Sequence, residues 1–237
     1  MNVTIRVSPG DWARALGAAE LAVVAASIGA SLLSFVTLQD PVLDQIRESF
    51  IRLTWVDGEG NIPAWFSASL LLCCAFLLGC MASLHRQQGG PVAFWGVLSF
   101  IFILLSVDEV AQLHELSIRP LREQFHTTGF LYYPWILPAG LCVATLAVGY
   151  SRFQATLPGR TRWLFLVAGT LYVGGALAME AVSGQHASLF GEQNPGYHVI
   201  VTLEELLEMT GAVVFIYALL DYMAGRFTRL TIHFRSS

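Results

Sequence analysis

Carboxylates and histidines interrupt the apolar segments of this 237-residue sequence in three places. As candidate ligands of a divalent metal ion we take Asp108, Glu109, His114, Glu115, Glu180, Glu204, Glu205 and Glu208, with Gln112, His186 and His198 as additional ligands. Carboxylates together with imidazoles suit iron, manganese or zinc, whereas carboxylates alone suit magnesium or calcium. The residue types therefore predict a site for a divalent transition metal.

Helical spacing places these residues on common faces. Each residue of an α-helix turns by about 100°, so Asp108, Gln112 and Glu115 are predicted to lie within about 60° of one another. The same arithmetic predicts one face formed by Glu204, Glu205 and Glu208 and another formed by Gly169, Ala176 and Glu180. Small residues at positions 169 and 176 of this last face would let a neighbouring helix approach closely.

The composition identifies the kind of element that must position these residues. The chain is 55% hydrophobic and 13% charged, and its mean hydropathy is +0.59. A soluble domain is about 45–50% apolar and about 25% charged, so a water-soluble fold is excluded. A disordered chain is excluded because the hydrophobicity is too high. A disulfide scaffold is excluded because four cysteines are too few for 237 residues. A nucleic-acid binder is excluded because the net charge is −4. We therefore expect an integral membrane protein whose surroundings are the lipid bilayer.

The fold class predicted is all-α, a polytopic transmembrane helical bundle in a single integral membrane domain over residues 1–237. Six apolar segments are long enough to cross the hydrocarbon core, approximately 14–38, 63–84, 91–115, 132–151, 161–182 and 199–222. All 13 basic residues are arginines, and nine of them lie at one set of segment ends. The positive-inside rule then places both termini in the cytoplasm, and the interrupting acids in the outer leaflet.

Depth makes these acids energetically significant. Glu208 lies about 13 Å into its segment, near the middle of a hydrocarbon core of about 30 Å. A charge at that depth costs about 2.5–3.5 kcal/mol. The acids must therefore be protonated, hydrated, bound to a cation, or paired with arginines such as Arg119 and Arg122.

Three functions are left open by the sequence. The first is binding of iron, manganese or zinc, and whether such a metal serves an enzyme is undecided. The second is a carrier of protons or cations, which needs a polar path to the inner side, where the sequence offers little beyond Glu20. The third is a structural subunit whose acids face a protein partner or a second copy of the chain.

Other chemistries find no support among the sequence motifs. There is no haem-attachment motif, phosphate-binding glycine loop, serine elbow or HExxH pair. The run EELLE lacks the arginine of the EExxxR motif of intramembrane proteases, because Met209 follows it. Glu123 and His126 form the chain's one Glu-x-x-His pair, so the full di-metal bundle pattern is absent. That pair falls in residues 116–131, which predict a short amphipathic helix.

Four stretches carry a resemblance to known sequences: LLSVDEVAQLHE, RPLRE with GFLYYPW, LYVGGALAMEAVSG, and EELLEMTG with FIYALLDYM. Over about residues 63–223 the chain resembles a group of multi-span bacterial inner-membrane proteins with no established activity. The resemblance implies a bacterial inner-membrane location and says nothing about a reaction. It does not extend to the first 60 residues.

Overall fold

A computed structural model describes residues 8–226, and all regular structure in this part of the chain is helical. The α-helices are α1 (Pro9–Ser34), α2 (Pro41–Thr54), α3 (Ile62–Gln87), α4 (Val92–Ala111), α5 (Glu115–Phe125), α6 (Ile136–Thr156), α7 (Gly159–Val173), α8 (Glu180–Phe190) and α9 (Pro195–Arg226). A 3₁₀ turn, Gly129–Leu131, precedes α6, and a π-helical segment, Gly174–Met179, joins α7 to α8 without a break.

Helix starts are set by a capping side chain followed by proline. Asp40 accepts hydrogen bonds from the first turn of α2 at 2.9 and 3.1 Å. Asn61 caps α3 through the Ala64 amide at 3.1 Å, and Asn194 accepts from the Tyr197 amide at 3.0 Å at the start of α9. In each case a proline occupies one of the first two helical positions, where its missing N–H is not needed.

Five helices are long and apolar enough to cross a membrane: α1, α3, α4, α6 and the continuous helix Gly159–Phe190. Large apolar side chains such as Leu72, Phe76, Leu141 and Val148 are 54–77% exposed on their surfaces. Helix α9 has 32 residues, or about 48 Å at 1.5 Å per residue, which is also long enough to cross a membrane. It is not among the five apolar helices, and its first half contains Glu204, Glu205 and Glu208. The all-helical class and several apolar helices of spanning length are thus confirmed.

Helix α9 lies at the centre of the bundle and packs against α1, α3 and α7. The apolar core forms where α9 meets α3 and α4, and it includes Leu78, Met81, Trp95, Ile216 and Leu219. Helix α4 packs along α3, whereas α6 makes few contacts and lies at the edge. The central position of α9 brings its acids next to several helices at once.

The predicted helix over residues 91–115 is wrong at its end. Helix α4 stops at Ala111, and Gln112 adopts a left-handed conformation with φ of 55°. The Asp108 side chain accepts the His114 amide at 2.9 Å, which folds the chain back and stops the helix. Asp108, Gln112 and Glu115 therefore do not share one helical face, because Glu115 begins the separate helix α5.

The fifth apolar segment also differs from its prediction. It extends eight residues beyond 182, and the π-helical segment changes the direction in which later side chains point. Gly169 is exposed, with nothing near it, so the predicted stripe of small residues does not mark the contact with α9. Gly175 and Gly211 lie at the close approach instead.

Two connections contain structure that the sequence indicated only in part. The loop between the first two apolar segments contains α2, which was not predicted. The amphipathic helix expected over residues 116–131 is present but shorter. It ends at Phe125, where His126 adopts a left-handed conformation with φ of 49°.

Candidate carboxylate site

Eight carboxyl groups gather at one end of the bundle, which we call the acidic end. They form the acid cluster, defined as Asp57, Glu59, Asp108, Glu109, Glu180, Glu204, Glu205 and Glu208. Members come from the loop before α3, the end of α4, the start of α8 and the first half of α9. Six of the eight belong to the predicted ligand set, and each lies close enough to others for their charges to interact.

Glu180 and Glu204 form a pair of neighbouring carboxyl groups within the acid cluster. The Trp135 indole N–H donates to Glu180 Oε1 at 2.8 Å, and the Glu204 carboxyl lies beside that of Glu180. Glu204 is 6% exposed. Its Oε2 atom is buried and has no hydrogen-bond partner within residues 8–226. A buried carboxylate oxygen without a donor is unfavourable, so it calls for a proton or a cation.

Gly175, in the π-helical segment, sets the distance between this segment and α9. A Cβ atom at Gly175 would lie 2.6 Å from Glu208 Cγ and 2.8 Å from the Glu204 carbonyl oxygen. Only glycine allows the two backbones this close. The contact holds the Glu204–Glu208 turn directly against the segment that leads into Glu180, which explains why acids of both helices meet.

His114 and Asp108 form a second fixed element of the acid cluster. His114 Nδ1 lies 2.8 Å from Asp108 Oδ2, and the His114 ring lies 4.6 Å from that of Trp135. Burial disfavours the charged imidazole, but the hydrogen bond and charge of Asp108 outweigh burial and raise the pKa of His114. His114 lies in the turn that follows α4, and the reversal of the chain at Gln112 places its side chain next to Asp108.

The loop between α2 and α3 covers the acid cluster from above. Asn61 Nδ2 donates to the Trp55 carbonyl at 2.6 Å, and the Val56 amide donates to Ser27 Oγ at 3.0 Å, which fixes the loop. Asp57 and Glu59 are exposed as residues, but surrounding protein removes part of the water around their carboxyl groups. This desolvation, together with the charges of Glu180 and Glu192, raises the pKa of Asp57 to about 7, against the effect of a hydrogen bond from Trp55. Desolvation also raises the pKa of Glu59. Neither acid was predicted, since the sequence WVDGEGN has no helical spacing that places it over the bundle.

The acid cluster is not fully covered by the described part of the chain. Glu205 and Glu208 are half-buried, whereas Asp57 and Glu59 are exposed. Gln112 lies beside Glu59. We call this incompletely covered part of the acidic end the recess.

No arginine within residues 8–226 pairs with a member of the acid cluster. The alternative that Arg119 and Arg122 supply counter-charges is therefore not the arrangement adopted. Arg119 donates to Glu123 at 2.8 Å. Arg122 donates to the Tyr132 carbonyl at 2.8 Å and stacks 3.8 Å above the Tyr132 ring. Within the described chain, His114 is the one basic side chain paired with an acid of the cluster.

Two predicted ligands, His186 and His198, lie elsewhere, and a third, Glu115, lies at the rim of the acid cluster. His186 Nε2 lies 2.8 Å from Asn194 Oδ1. His198 Nδ1 lies 2.8 Å from Ser31 Oγ, and its ring packs 4.3 Å from that of Trp55. Glu115 is exposed at the start of α5, beside Glu59 and His114 at the rim.

The carboxylates of the acid cluster do not converge on a single point. Within residues 8–226, no three histidine, cysteine, aspartate or glutamate side chains are arranged as a set of metal ligands. Binding of a metal ion therefore requires the flexible glutamates to turn toward one another.

The fold and the acid cluster define a helical-bundle class with a polar recess among apolar helices. Residues 15–223 match the model of a family described as Domain of unknown function (DUF8692), and the chain belongs to this family. The match includes most of α1 and all of α2, so the relationship extends further toward the N-terminus than the resemblance over residues 63–223. No curated protein and no solved structure matches the chain significantly.

Proposed function

We propose that this chain is a bacterial inner-membrane protein that binds a divalent cation at the acid cluster, in competition with protons. The observation that supports this most is the meeting of eight carboxyl groups with no arginine partner within residues 8–226. Like charges this close cannot all stay ionised without a neutralising partner. Protons or a cation must supply the missing positive charge.

The buried Glu204 oxygen marks the place where either a cation or a proton shared with Glu180 would supply the missing partner. Glu204 Oε2 lacks any donor, while the neighbouring Glu180 is already held by Trp135. Glu208 lies one turn further along α9 and keeps partial exposure. A cation entering the recess would meet carboxylate oxygens of both residues once the side chains turn inward.

The donor set favours a hard cation. Within residues 8–226, His114 is the one histidine that pairs with the acid cluster, and the other donors are carboxylate oxygens. Oxygen-rich sites suit Mn²⁺, Mg²⁺ or Ca²⁺, whereas zinc and iron prefer more nitrogen or sulfur. Of the transition metals in the original expectation, we propose manganese.

We further propose six membrane spans, with both termini in the cytoplasm and the acidic end outside. The sixth span is α9, which is long enough to cross and is surrounded by the other helices. The proposal is supported by the grouping of the acids of α9 with those of neighbouring elements, because ionisable groups in membrane proteins usually face the bundle interior. The arginine distribution supports the orientation.

Elemental analysis of the detergent-purified protein tests the proposal. We expect near-stoichiometric manganese, or another divalent metal, after growth with added metal salts, and its loss in Glu208→Gln. The matched control is Glu123→Gln, which changes an exposed acid outside the cluster. Equal metal content in Glu208→Gln and the control, or no metal in the wild type, would contradict cation binding.

A proton or cation carrier is the second candidate, favoured by one contact. Thr210 Oγ1 donates to the buried Glu20 of α1 at 2.5 Å, half a turn beyond Glu208. Glu20 extends the polar line beyond the acid cluster, but the core below it is apolar and includes Leu78, Met81 and Phe215. Cation uptake into proteoliposomes that Glu20→Gln abolishes would favour a carrier over a binding protein.

A third candidate is a structural subunit whose acidic end faces a partner chain. It predicts that Glu208→Gln is tolerated and that a partner co-purifies with both forms.

A further inference from the structure

Helix α2 exposes a row of apolar side chains along one of its sides. Five apolar residues of this helix are 38–66% exposed: Val42, Leu43, Ile46, Phe50 and Leu53. At about 100° per residue they lie within about 100° of one another around the helix axis. We call these five residues the apolar arc. A continuous exposed apolar surface of this kind indicates contact with lipid or with another protein.

The other two sides of α2 differ from the apolar arc. Gln45, Glu48 and Arg52 are exposed and lie within about 60° of one another, on a side centred about 140° from the apolar arc. The third side lies between these two, where Thr54 is buried and Ile51 is half-buried. Helix α2 therefore has one side on the bundle, one polar side and one apolar side, as an amphipathic helix has at a membrane surface.

Arg47 fixes the rotation of α2 about its own axis. Its Nη1 atom donates to the Leu33 carbonyl at 3.1 Å and to the Val36 carbonyl at 2.6 Å. These bonds satisfy backbone carbonyls at the end of α1 and just beyond it, which lack partners within their own helix. The Arg47 Nε atom also donates to Asp44 at 2.8 Å, and the Arg47 side chain is 11% exposed. The direction of the apolar arc is therefore set by the fold.

A contact at the C-terminal end of α2 gives its depth. The Val56 amide donates to Ser27 Oγ at 3.0 Å. Ser27 lies seven residues before Ser34, the last residue of α1, or about 10 Å back along the helix axis. Helix α1 has 26 residues, or about 39 Å, and exceeds a hydrocarbon core of about 30 Å by about 9 Å. With α1 spanning the membrane, the level of Ser27 lies inside the hydrocarbon layer, and the end of α2 lies there with it.

The apolar arc continues a surface that α1 already exposes. Leu32 is 67%, Phe35 is 50% and Val36 is 43% exposed, and the chain leads from them into Val42. The charges of α2 favour neither an acidic nor a basic partner, because its two acids and two arginines cancel. A neutral helix with an exposed apolar side at this depth matches lipid.

We propose that α2 lies within the membrane leaflet at the acidic end of the bundle, with its apolar arc against lipid acyl chains near their boundary with the headgroups. The loop that follows α2 and contributes Asp57 and Glu59 to the acid cluster is then attached to a helix held in the membrane. This inference rests on the proposed membrane location and is independent of cation binding.

Electron paramagnetic resonance of single spin labels in phosphatidylcholine nanodiscs tests the inference. The four cysteines are replaced by alanine, and labels are attached at exposed positions in Ile46→Cys or Phe50→Cys, with Glu48→Cys as the polar control on the same helix. Phe76→Cys, at a residue of α3 that is 69% exposed, is the lipid control. Collisions with oxygen report lipid, and collisions with a water-soluble nickel chelate report water. We expect the oxygen-to-nickel collision ratio at Ile46 and Phe50 to be several-fold higher than at Glu48 and to approach that at Phe76.

The other outcomes separate the ways in which the inference can fail. A ratio at Ile46 and Phe50 as low as that at Glu48, with Phe76 still in lipid, would overturn it and leave the membrane location intact. Low collision rates with both reagents at the apolar arc would overturn it in favour of a protein contact, and dipolar broadening between labels would identify a second copy of the chain. A water-like ratio at Phe76 would show that the proposed membrane location is wrong, and this inference with it.

Discussion

Gly175 is the position at which a single added methyl group tests how the carboxylate site is built. In Gly175→Ala, the new Cβ would lie 2.6 Å from Glu208 Cγ and 2.8 Å from the Glu204 carbonyl oxygen. The Glu208 side chain can rotate away, but the carbonyl belongs to the α9 backbone. Ordinary contact begins at 3.4 Å, so the two segments would have to separate by about 0.6 Å. Overpacking of this kind costs about 1–3 kcal/mol.

Gly174→Ala is the matched control, because Gly174 lies in the same π-helical segment with nothing within 4 Å of its added Cβ. We expect the control to be neutral or slightly stabilised, since alanine favours helix over glycine by up to about 1 kcal/mol. Gly175→Ala should lower the unfolding temperature in detergent by about 2–4 °C per kcal/mol and weaken Mn²⁺ binding. Equal unfolding temperatures and equal Mn²⁺ affinities in the two variants would refute the close packing described here.

Three further predictions follow from contacts around the acid cluster. Trp135→Phe removes the 2.8 Å bond to Glu180 and should destabilise the protein by about 1.5–3 kcal/mol, measured by thermal unfolding. Folding raises the pKa of Asp57 to about 7. Its protonation therefore favours the folded state at low pH, and this stabilisation is lost as pH rises from about 4 through about 7. The unfolding temperature should fall over this pH range in the wild type and fall less in Asp57→Asn. His198→Ala should lower stability, because it breaks the 2.8 Å contact with Ser31, yet leave Mn²⁺ affinity unchanged; a lost affinity would return His198 to the ligand set.

The sequence predicted the long apolar helices because their signal is local. Apolar runs of spanning length indicate a helix whatever packs against it, whereas α2, which begins after the capping residue Asp40, was not predicted. The shared location of Glu180, Glu204 and Glu208 was also predictable, because alternating spans bring these acids to the same side.

The errors arose where tertiary contacts change local geometry. Asp108 accepts a hydrogen bond from the His114 amide, which reverses the chain and ends α4. The helical spacing of the sequence does not indicate this reversal. Gly169 has no neighbour near its added Cβ, whereas Gly175, in the π-helical segment that follows, contacts α9. Asp57 reaches the acid cluster through a loop that is held by the Val56 amide, which donates to Ser27 Oγ. Ser27 lies 29 positions before Val56 in the sequence, so local patterns do not indicate this contact.

Calorimetric titration of the purified protein with Mn²⁺ at pH 6 and pH 7.5 tests the central claim most directly. Repeating it in two buffers of different ionisation enthalpy counts the protons released, because a metal ion must displace protons from its carboxylates. We predict tighter binding at pH 7.5, release of at least one proton per ion, and loss of both in Glu208→Gln but not in Glu123→Gln. Binding that is absent, or that is independent of pH and unchanged in Glu208→Gln, would contradict a cation site at the acid cluster.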